Sequence, residues 1–282
     1  MKTIHSAKGN SLIYKAISQV FMLVMTLLIL FPIYFMFINS FKSRPDFIKN
    51  PIGLPAPFTV QSFLDAFAGK NFVSWFGNSI FLMLASIVIT TLFSCLAAFA
   101  FARMDFKGSK TIFNMMIPLM SIPPIIMLIP LYKVMAVLNL VNTRASVILI
   151  YSGIMVPFTI FLLKNFFANV PKSLTEAAFI DGATQFQTFY KIIIPLSKSA
   201  LITASIVNIV WVWNELLIAL VFLQDESMRT IIVGLTLFKS RYTLNVPVIM
   251  AGLSIATIPM LLVYIFGQRY LVQGLLSGAV KE

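Results

Sequence analysis

Six long stretches without Lys, Arg or Asp divide the chain and constrain its fold more than any other feature of the sequence. Only one acidic residue, Glu215, lies inside any of them. The stretches cover residues 16–41, 71–102, 111–132, 145–163, 199–224 and 242–268. Each is long enough for a helix to cross the bilayer core, which takes about 20 apolar residues. We therefore predict an all-α integral membrane protein with six transmembrane helices, at about residues 17–39, 77–101, 112–132, 145–163, 199–223 and 246–268 of a single domain, 1–282.

The composition argues against a soluble protein. Hydrophobic residues make up 59% and charged residues 11%, against about 45–50% and about 25% in soluble domains. One Cys and one His, His5, make a disulfide scaffold, a thiolate metal cluster and His-based catalysis improbable. We expect no catalytic residue, no metal and no bound cofactor. The formal charge of +12 indicates loops near anionic lipid headgroups rather than a nucleic-acid partner.

Basic residues indicate the orientation. An even number of spans places both termini on one side, and a cytosolic N-terminus puts 12 of the 21 Lys and Arg residues inside. We therefore predict cytosolic termini and an outer loop, Phe41–Trp75. In that loop Val60, Phe63, Leu64 and Phe67 have i, i+3, i+4, i+7 spacing, which predicts a short interfacial helix. Prolines in the third span, at 118, 123, 124 and 130, predict a kink or an interruption.

The segment between the fourth and fifth spans, residues 167–197, is too long for a plain connection. Ser173 and Glu176 have the spacing of a capping box, as do Thr184 and Gln187. Asp181-Gly182 between them predicts a turn in which Gly takes positive φ. The second helix should end near Pro195. The segment is therefore predicted to be a helix-turn-helix, which either docks on a partner through its Ala and aromatic residues or folds back on the chain's own helices.

The same segment resembles the EAA loop of binding-protein-dependent ABC transporter permeases. The matching residues are Glu176-Ala177-Ala178, Gly182 and Ile192-Ile193-Ile194-Pro195, with Ile194 where the family has Leu. Further likeness to the carbohydrate-uptake, MalG-like branch is carried by Asn39-Ser40-Phe41-Lys42, Ala102-Arg103, Ile129-Pro130-Leu131-Tyr132, Trp213-Asn214-Glu215 and Gly278-Ala279-Val280-Lys281. The family has Gly after that Lys, where this chain has Glu282.

The resemblance implies a permease in the bacterial cytoplasmic membrane that pairs with a second permease. Two ATPase subunits bind ATP and Mg²⁺, and an extracytoplasmic solute-binding protein delivers a sugar or oligosaccharide. The EAA loop is then a cytosolic coupling helix on the ATPase, with Glu176, Ala177, Ala178, Asp181, Gly182 and Pro195 as the coupling residues. The chain itself has no G-x-x-x-x-G-K-[ST] motif for nucleotide.

Polar and aromatic residues in the fifth span are the candidates for the substrate path: Trp211, Trp213, Asn214 and Glu215. They either present aromatic faces and acceptors to sugar hydroxyls or hold the helix bundle together through hydrogen bonds. Two alternatives remain for the whole chain. One is the same architecture for an amino acid or polyamine. The other is an ion-coupled secondary transporter, although that class often has an internal repeat and several intramembrane ionisable residues.

Overall fold

The computed structural model describes residues 4–69, 71–241 and 245–279, and these residues contain helices but no strand. The α-helices are α1 Ile4–Ser40, α2 Arg44–Lys49, α3 Gln61–Ala68, α4 Phe72–Arg103, α5 Ser109–Met116, α6 Pro124–Val137, α7 Arg144–Asn169, α8 Lys172–Ile180, α9 Gln185–Thr188, α10 Ile194–Leu196, α11 Lys198–Asn214, α12 Leu217–Phe222, α13 Ile231–Arg241 and α14 Val246–Ala279. The predicted all-α fold is confirmed.

Four helical segments in the described part of the chain are long and apolar enough to cross a membrane: Tyr14–Ser40, Phe72–Arg103, Arg144–Asn169 and Val246–Leu271. Two bent pairs also qualify. Ser109–Ser121 meets Pro124–Val137 at 108°, and Gln185–Leu196 meets Lys198–Asn214 at 75°. The described residues therefore hold four continuous spans, or six if each bent pair crosses once. The six-span topology with its predicted ends stays a prediction.

The third predicted span is interrupted, as its prolines suggest. A 3₁₀ turn at Ile117–Ser121 ends before Pro123, and α6 starts at Pro124. Pro123 has extended backbone angles, φ −62° and ψ 131°. A residue before proline is driven out of the helical region, and proline has no N–H to donate. The adjacent prolines therefore break the helix, whereas Pro130 lies inside α6.

The chain divides into two compact units, Met1–Lys70 with Phe238–Ile255, and Asn71–Leu237 with Ala256–Glu282. In the first unit, the loop after α1 is organised around the buried Lys42. Its Nζ donates to the Asn50 carbonyl at 2.6 Å, and its own carbonyl accepts from Ser62 Oγ at 3.0 Å. Burial lowers the pKa of Lys42, and the nearby Asp46 opposes that shift. The lysine serves as an internal hydrogen-bond donor that joins two parts of the loop.

The predicted short helix in this loop is present as α3, and most of its predicted apolar stripe is exposed. Ser62 and Ala66 are buried, whereas Leu64 and Phe67 are 56% and 50% exposed. Phe63 packs on a cluster with Val248 and Ala251. Ala66 and Phe63 thus contact this cluster, whereas Leu64 and Phe67 face outward.

In the second unit, α4 and α7 pack along their length and form the centre of the bundle. One core cluster joins α4, α6 and α7 to α12, and includes Leu82, Tyr151 and Phe222. The other joins the opposite ends of α4 and α7 to the helix-turn-helix segment. Hydroxyls lie between the helices: Ser152 Oγ donates to the Ser86 carbonyl at 3.3 Å. Small polar residues of this kind allow close approach of membrane helices.

Candidate functional site

The first limb of the helix-turn-helix, α8, begins earlier than predicted. Its N-cap is Pro171, with ψ 129°, and no side chain caps it. The predicted Ser173–Glu176 capping box is therefore wrong. Ser173 already lies inside the helix, and a box around Pro171 is impossible because proline has no N–H for a glutamate to accept. Glu176 is exposed on α8.

The turn after α8 matches the prediction. Gly182 has φ +81°, its N–H donates to the Phe179 carbonyl at 3.1 Å, and the Ala183 N–H donates to the Ala178 carbonyl at 2.9 Å. These two bonds constitute a Schellman motif, with Asp181 as C-cap and Gly182 in the left-handed position after it. A Cβ on Gly182 would meet no atom within 4 Å. Backbone conformation, not space, is the reason for glycine here.

The second limb starts with the predicted capping box. Thr184 Oγ1 accepts from the Gln187 N–H at 3.2 Å, and Gln187 Oε1 accepts from the Thr184 N–H at 2.8 Å. After α9 the chain makes a π-helical turn, Phe189–Ile193, and then α10. Pro195 lies in α10, and at Ser197 the chain bends by 75° into α11. The second limb is thus continuous, through one bend, with a long bundle helix.

The two limbs differ in burial. Phe189 and Ile193 of the second limb belong to the core cluster shared with α4 and α7, and the rings of Phe189 and Phe99 lie 5.2 Å apart. In α8 only Thr175 is buried. Exposed apolar residues lie on both limbs: Leu174, Phe179 and Ile180 on the first, and Phe186, Tyr190 and Leu196 on the second. Both predicted arrangements are therefore partly present: the second limb packs on the bundle through Phe189 and Ile193, and both limbs leave apolar residues exposed.

Arg103 holds the ends of α4 and α7 together, a role that sequence reasoning missed. Its Nε donates to the Phe167 carbonyl at 3.0 Å, and its Nη2 donates to the carbonyls of Phe167 and Val170. These carbonyls belong to the last turn of α7 and its C-cap, where helical partners run out. The arginine thereby fixes the chain just before the helix-turn-helix. A single basic residue at the end of a span gives no sign of which carbonyls it binds.

The fifth predicted span is broken at Glu215. The helix α11 ends at Asn214, and the six-residue α12 begins at Leu217. Glu215 Oε1 accepts from the Ile218 N–H at 2.8 Å, and Oε2 accepts from the Ala219 N–H at 3.1 Å and from the Tyr151 hydroxyl at 2.7 Å. Backbone donors exposed by a helix break are costly in lipid. Glu215 satisfies two of them and links the break to α7.

The other candidates for the substrate path surround this break. Trp213 is buried, its Nε1 donates to the Ala256 carbonyl at 3.1 Å, and its ring meets Phe76 edge-on. Trp211 is half-buried and lies edge-on to Tyr151 at 5.5 Å. Asn214 is exposed, and its Nδ2 donates to the Val210 carbonyl at 2.8 Å within α11. The four residues are thus neighbours in sequence with different surroundings.

A second polar group, not anticipated from the sequence, joins α4 and α7 to the loop after α12. Asn78 Nδ2 donates to the carbonyls of Ser227 and Arg229 at 2.8 and 3.1 Å, and its Oδ1 accepts from Arg144 Nη2 at 2.9 Å. Trp75 Nε1 donates to the Glu226 carbonyl at 2.7 Å. Side chains of α4 therefore hold a loop about 150 residues away in sequence, which local patterns do not reveal.

Comparisons with known proteins agree with this architecture. Residues 90–277 match the family described as binding-protein-dependent transport system inner membrane component. Among its relatives, the arabinooligosaccharides transport system permease protein AraQ of Halalkalibacterium halodurans is 33% identical, over 89% of this chain and 91% of its own length. The melibiose/raffinose/stachyose import permease protein MelC of Bacillus subtilis is also 33% identical, with the same two coverages.

Among solved structures, a chain of a bacterial ABC transporter involved in the import of alginate has the same fold. Its TM-score is 0.84 and its identity 24%, over 93% of this chain and 97% of that chain. The family model covers well over half of the present chain, and the relatives cover nearly all of it. The chain therefore belongs to the binding-protein-dependent transport family, as a multi-pass inner membrane permease subunit of an ABC importer.

Proposed function

We propose that the chain imports a sugar or oligosaccharide, together with a second permease, two ATPase subunits and a solute-binding protein. The names of the relatives support the substrate class, because AraQ and MelC are both named for oligosaccharide transport. The ATPase subunits bind ATP and Mg²⁺. In this arrangement both termini and the helix-turn-helix lie in the cytosol, and the loop from Phe41 to Trp75 lies outside.

The helix-turn-helix couples the ATPase to the membrane path. The observation that carries this proposal is the contrast between its limbs: in α8 only Thr175 is buried, whereas the second limb is anchored in the core through Phe189 and Ile193 and leads into α11. A partner that binds α8 therefore moves the helix-turn-helix as a rigid element, and with it the bundle helix α11. The Schellman turn at Gly182 sets the angle between the limbs, and Glu176, Ala177, Ala178 and Asp181 lie on the presented limb or at its end. Pro195 lies just before the bend into α11.

At the broken fifth helix, the surroundings divide the substrate-path candidates. The Glu215 carboxylate accepts hydrogen bonds at the helix break, and Trp213 Nε1 donates to the Ala256 carbonyl. Asn214, which is exposed, and Trp211, which is half-buried, have surface left for a ligand. We assign direct sugar contact to Asn214 and Trp211, and positioning to Glu215 and Trp213.

The test is transport by the reconstituted complex. The chain, its partner permease and the ATPase subunits are placed in vesicles with the solute-binding protein, and uptake of labelled oligosaccharides, amino acids and spermidine is compared. We expect uptake of an oligosaccharide that requires ATP and persists when ionophores collapse ion gradients. Uptake of only an amino acid or polyamine contradicts the substrate class. Uptake that follows an ion gradient without ATP contradicts the mechanism.

The orientation has its own test. In a Cys95→Ser background, a single Cys at position 60 should react with an impermeant maleimide from the outer face of intact cells. A Cys at position 180, where Ile180 is 87% exposed, should react only in inverted vesicles. Labelling of position 60 only from the cytosolic face contradicts the proposed topology.

A further inference from the structure

A polar cavity of about 1010 Å³ lies beside the helix-turn-helix, at the ends of two apolar spans. Its walls are the end of α4, the following loop, the first turns of α5, the end of α7, and α8 with α9. All of these belong to the second compact unit. Because α4 and α7 end here, the cavity lies at the depth where a bilayer places its headgroups.

Basic residues outnumber acidic residues in the lining of the cavity. Arg103, Lys107, Lys110, Lys164 and Lys172 line it, against two acidic residues, Asp105 and Glu176. The lining therefore has a formal excess of three positive charges. Such a concentration of one charge in a concave site attracts anions.

The lysines are available to a ligand, whereas the arginine is not. Arg103 is committed to the carbonyls at the end of α7. Lys164 Nζ lies 3.9 Å from the centre of the Phe113 ring, and in the described residues it forms no ion pair with a carboxylate. Within the part of the chain that the structure describes, Lys107 and Lys110 form no ion pair.

Two further features suit a lipid. Beside the lysines the cavity is lined by apolar residues that keep accessible surface, the half-buried Phe101 and the exposed Met104 and Phe106. In addition, Gly108, with φ +86°, is the N-cap of α5 and brings no side-chain cap, so Lys110 and Thr111 of the first turn add backbone donors to the lining. Positive charge and backbone donors next to aromatic rings match a phosphate group attached to acyl chains.

We propose that this cavity binds the phosphate-bearing headgroup of an anionic phospholipid, with Lys107, Lys110 and Lys164 as the recognition residues. Basic pockets between membrane helices are a recognised way of binding such headgroups. A bound lipid would touch α8 and the loop after α4 together. The site is separate from the proposed sugar path and does not depend on the substrate.

The test measures lipid retained by the purified complex. The assembled transporter is delipidated in a neutral detergent and titrated with phosphatidylglycerol, with phosphatidylcholine or with inorganic phosphate, and bound lipid is counted by native mass spectrometry. We expect saturable binding of phosphatidylglycerol and much weaker binding of phosphatidylcholine. Lys107→Gln, Lys110→Gln and Lys164→Gln should each reduce the affinity about fivefold, the effect of one basic side chain near an anionic surface.

Two controls make the result specific. Lys198→Gln removes an exposed lysine outside the cavity and should leave binding unchanged. Lys110→Arg keeps the charge and should restore most of the binding lost in Lys110→Gln. Equal binding by the wild type and all three Gln variants overturns the proposal, as does equal binding of the two lipids. Competition by inorganic phosphate at equal concentration shows a free-anion site and overturns the lipid assignment.

Discussion

Helices are interrupted at two places, Gly182 and Glu215, and the two helix breaks are stabilised by opposite means. At Gly182 the backbone satisfies itself: two Schellman bonds close the turn, and no side chain takes part. At Glu215 a side chain stabilises the break, because its carboxylate accepts hydrogen bonds from two backbone N–H groups and from the Tyr151 hydroxyl. The difference teaches that the first turn depends on backbone conformation and is indifferent to charge, whereas the second depends on the chemistry of one side chain.

Removing one carboxylate oxygen at position 215 should have the largest effect. In Glu215→Gln the amide keeps one acceptor oxygen. Its NH₂ group replaces the other oxygen and cannot accept from the donors that this oxygen satisfies in the wild type. A buried donor left without a partner costs about 1–3 kcal/mol. We expect the variant complex to unfold at a clearly lower temperature, measured by thermal unfolding in detergent.

The matched control is Tyr151→Phe, which removes one of the three donors and leaves both backbone bonds. It should destabilise the complex less, by about 0.5–1.5 kcal/mol. Wild-type stability of Glu215→Gln combined with a loss of sugar uptake would contradict the positioning role and favour direct contact with the substrate.

The next largest effect is expected at Gly182, where an added side chain has space and the positive φ angle determines whether a substitution is tolerated. A non-glycine residue in the left-handed region costs about 1–2 kcal/mol, and a β-branched residue tolerates it worst. Gly182→Val should therefore misdirect α8, and vesicles should hydrolyse ATP without moving sugar or lose their ATPase subunits. The readouts are stimulated ATPase activity, sugar uptake and co-purified ATPase.

Asparagine visits positive φ more readily than other residues, so Gly182→Asn should retain most of the coupling. Because a Cβ has free space at this position, a large difference between the Asn and Val variants reports on the backbone angle. Wild-type uptake with normal hydrolysis in Gly182→Val would reject the coupling role.

A smaller effect separates the two predicted caps. Thr184→Ala removes a real N-cap and should cost about 0.5–2 kcal/mol of local helix stability. Ser173→Ala should cost almost nothing, because Ser173 lies inside α8 and caps nothing. Hydrogen exchange of the α9 and α8 amides measures both. Equal loss of protection in the two variants would contradict the assigned start of α8.

What could be predicted from the sequence was local. The turn at Gly182 and the box at Thr184 involve residues within five positions of each other, so their patterns suffice. Three features escaped prediction because their partners are distant: the Glu215–Tyr151 bond, the Arg103 contacts with the end of α7, and the loop held by Asn78. The start of α8 was missed for a local reason, since a proline N-cap without a side-chain bond has a weaker signature than a capping box.

The smallest structural effect is expected at Glu176, where neither device applies. Its side chain makes no hydrogen bond within the described residues, so it stabilises neither α8 nor the turn. Glu176→Gln should therefore leave thermal unfolding of the complex unchanged.

Glu176→Gln removes one of the two acidic residues of the basic cavity, and it also removes an exposed charge from the limb presented to the ATPase. These two roles predict opposite signs: tighter phosphatidylglycerol binding if the cavity charge matters, and weaker ATPase co-purification if Glu176 pairs with a basic group on that subunit. Measuring both quantities on one preparation, beside Glu176→Ala, separates them. A loss of hydrogen-exchange protection in α8 comparable to the loss in α9 caused by Thr184→Ala would show that Glu176 is part of a helix cap after all.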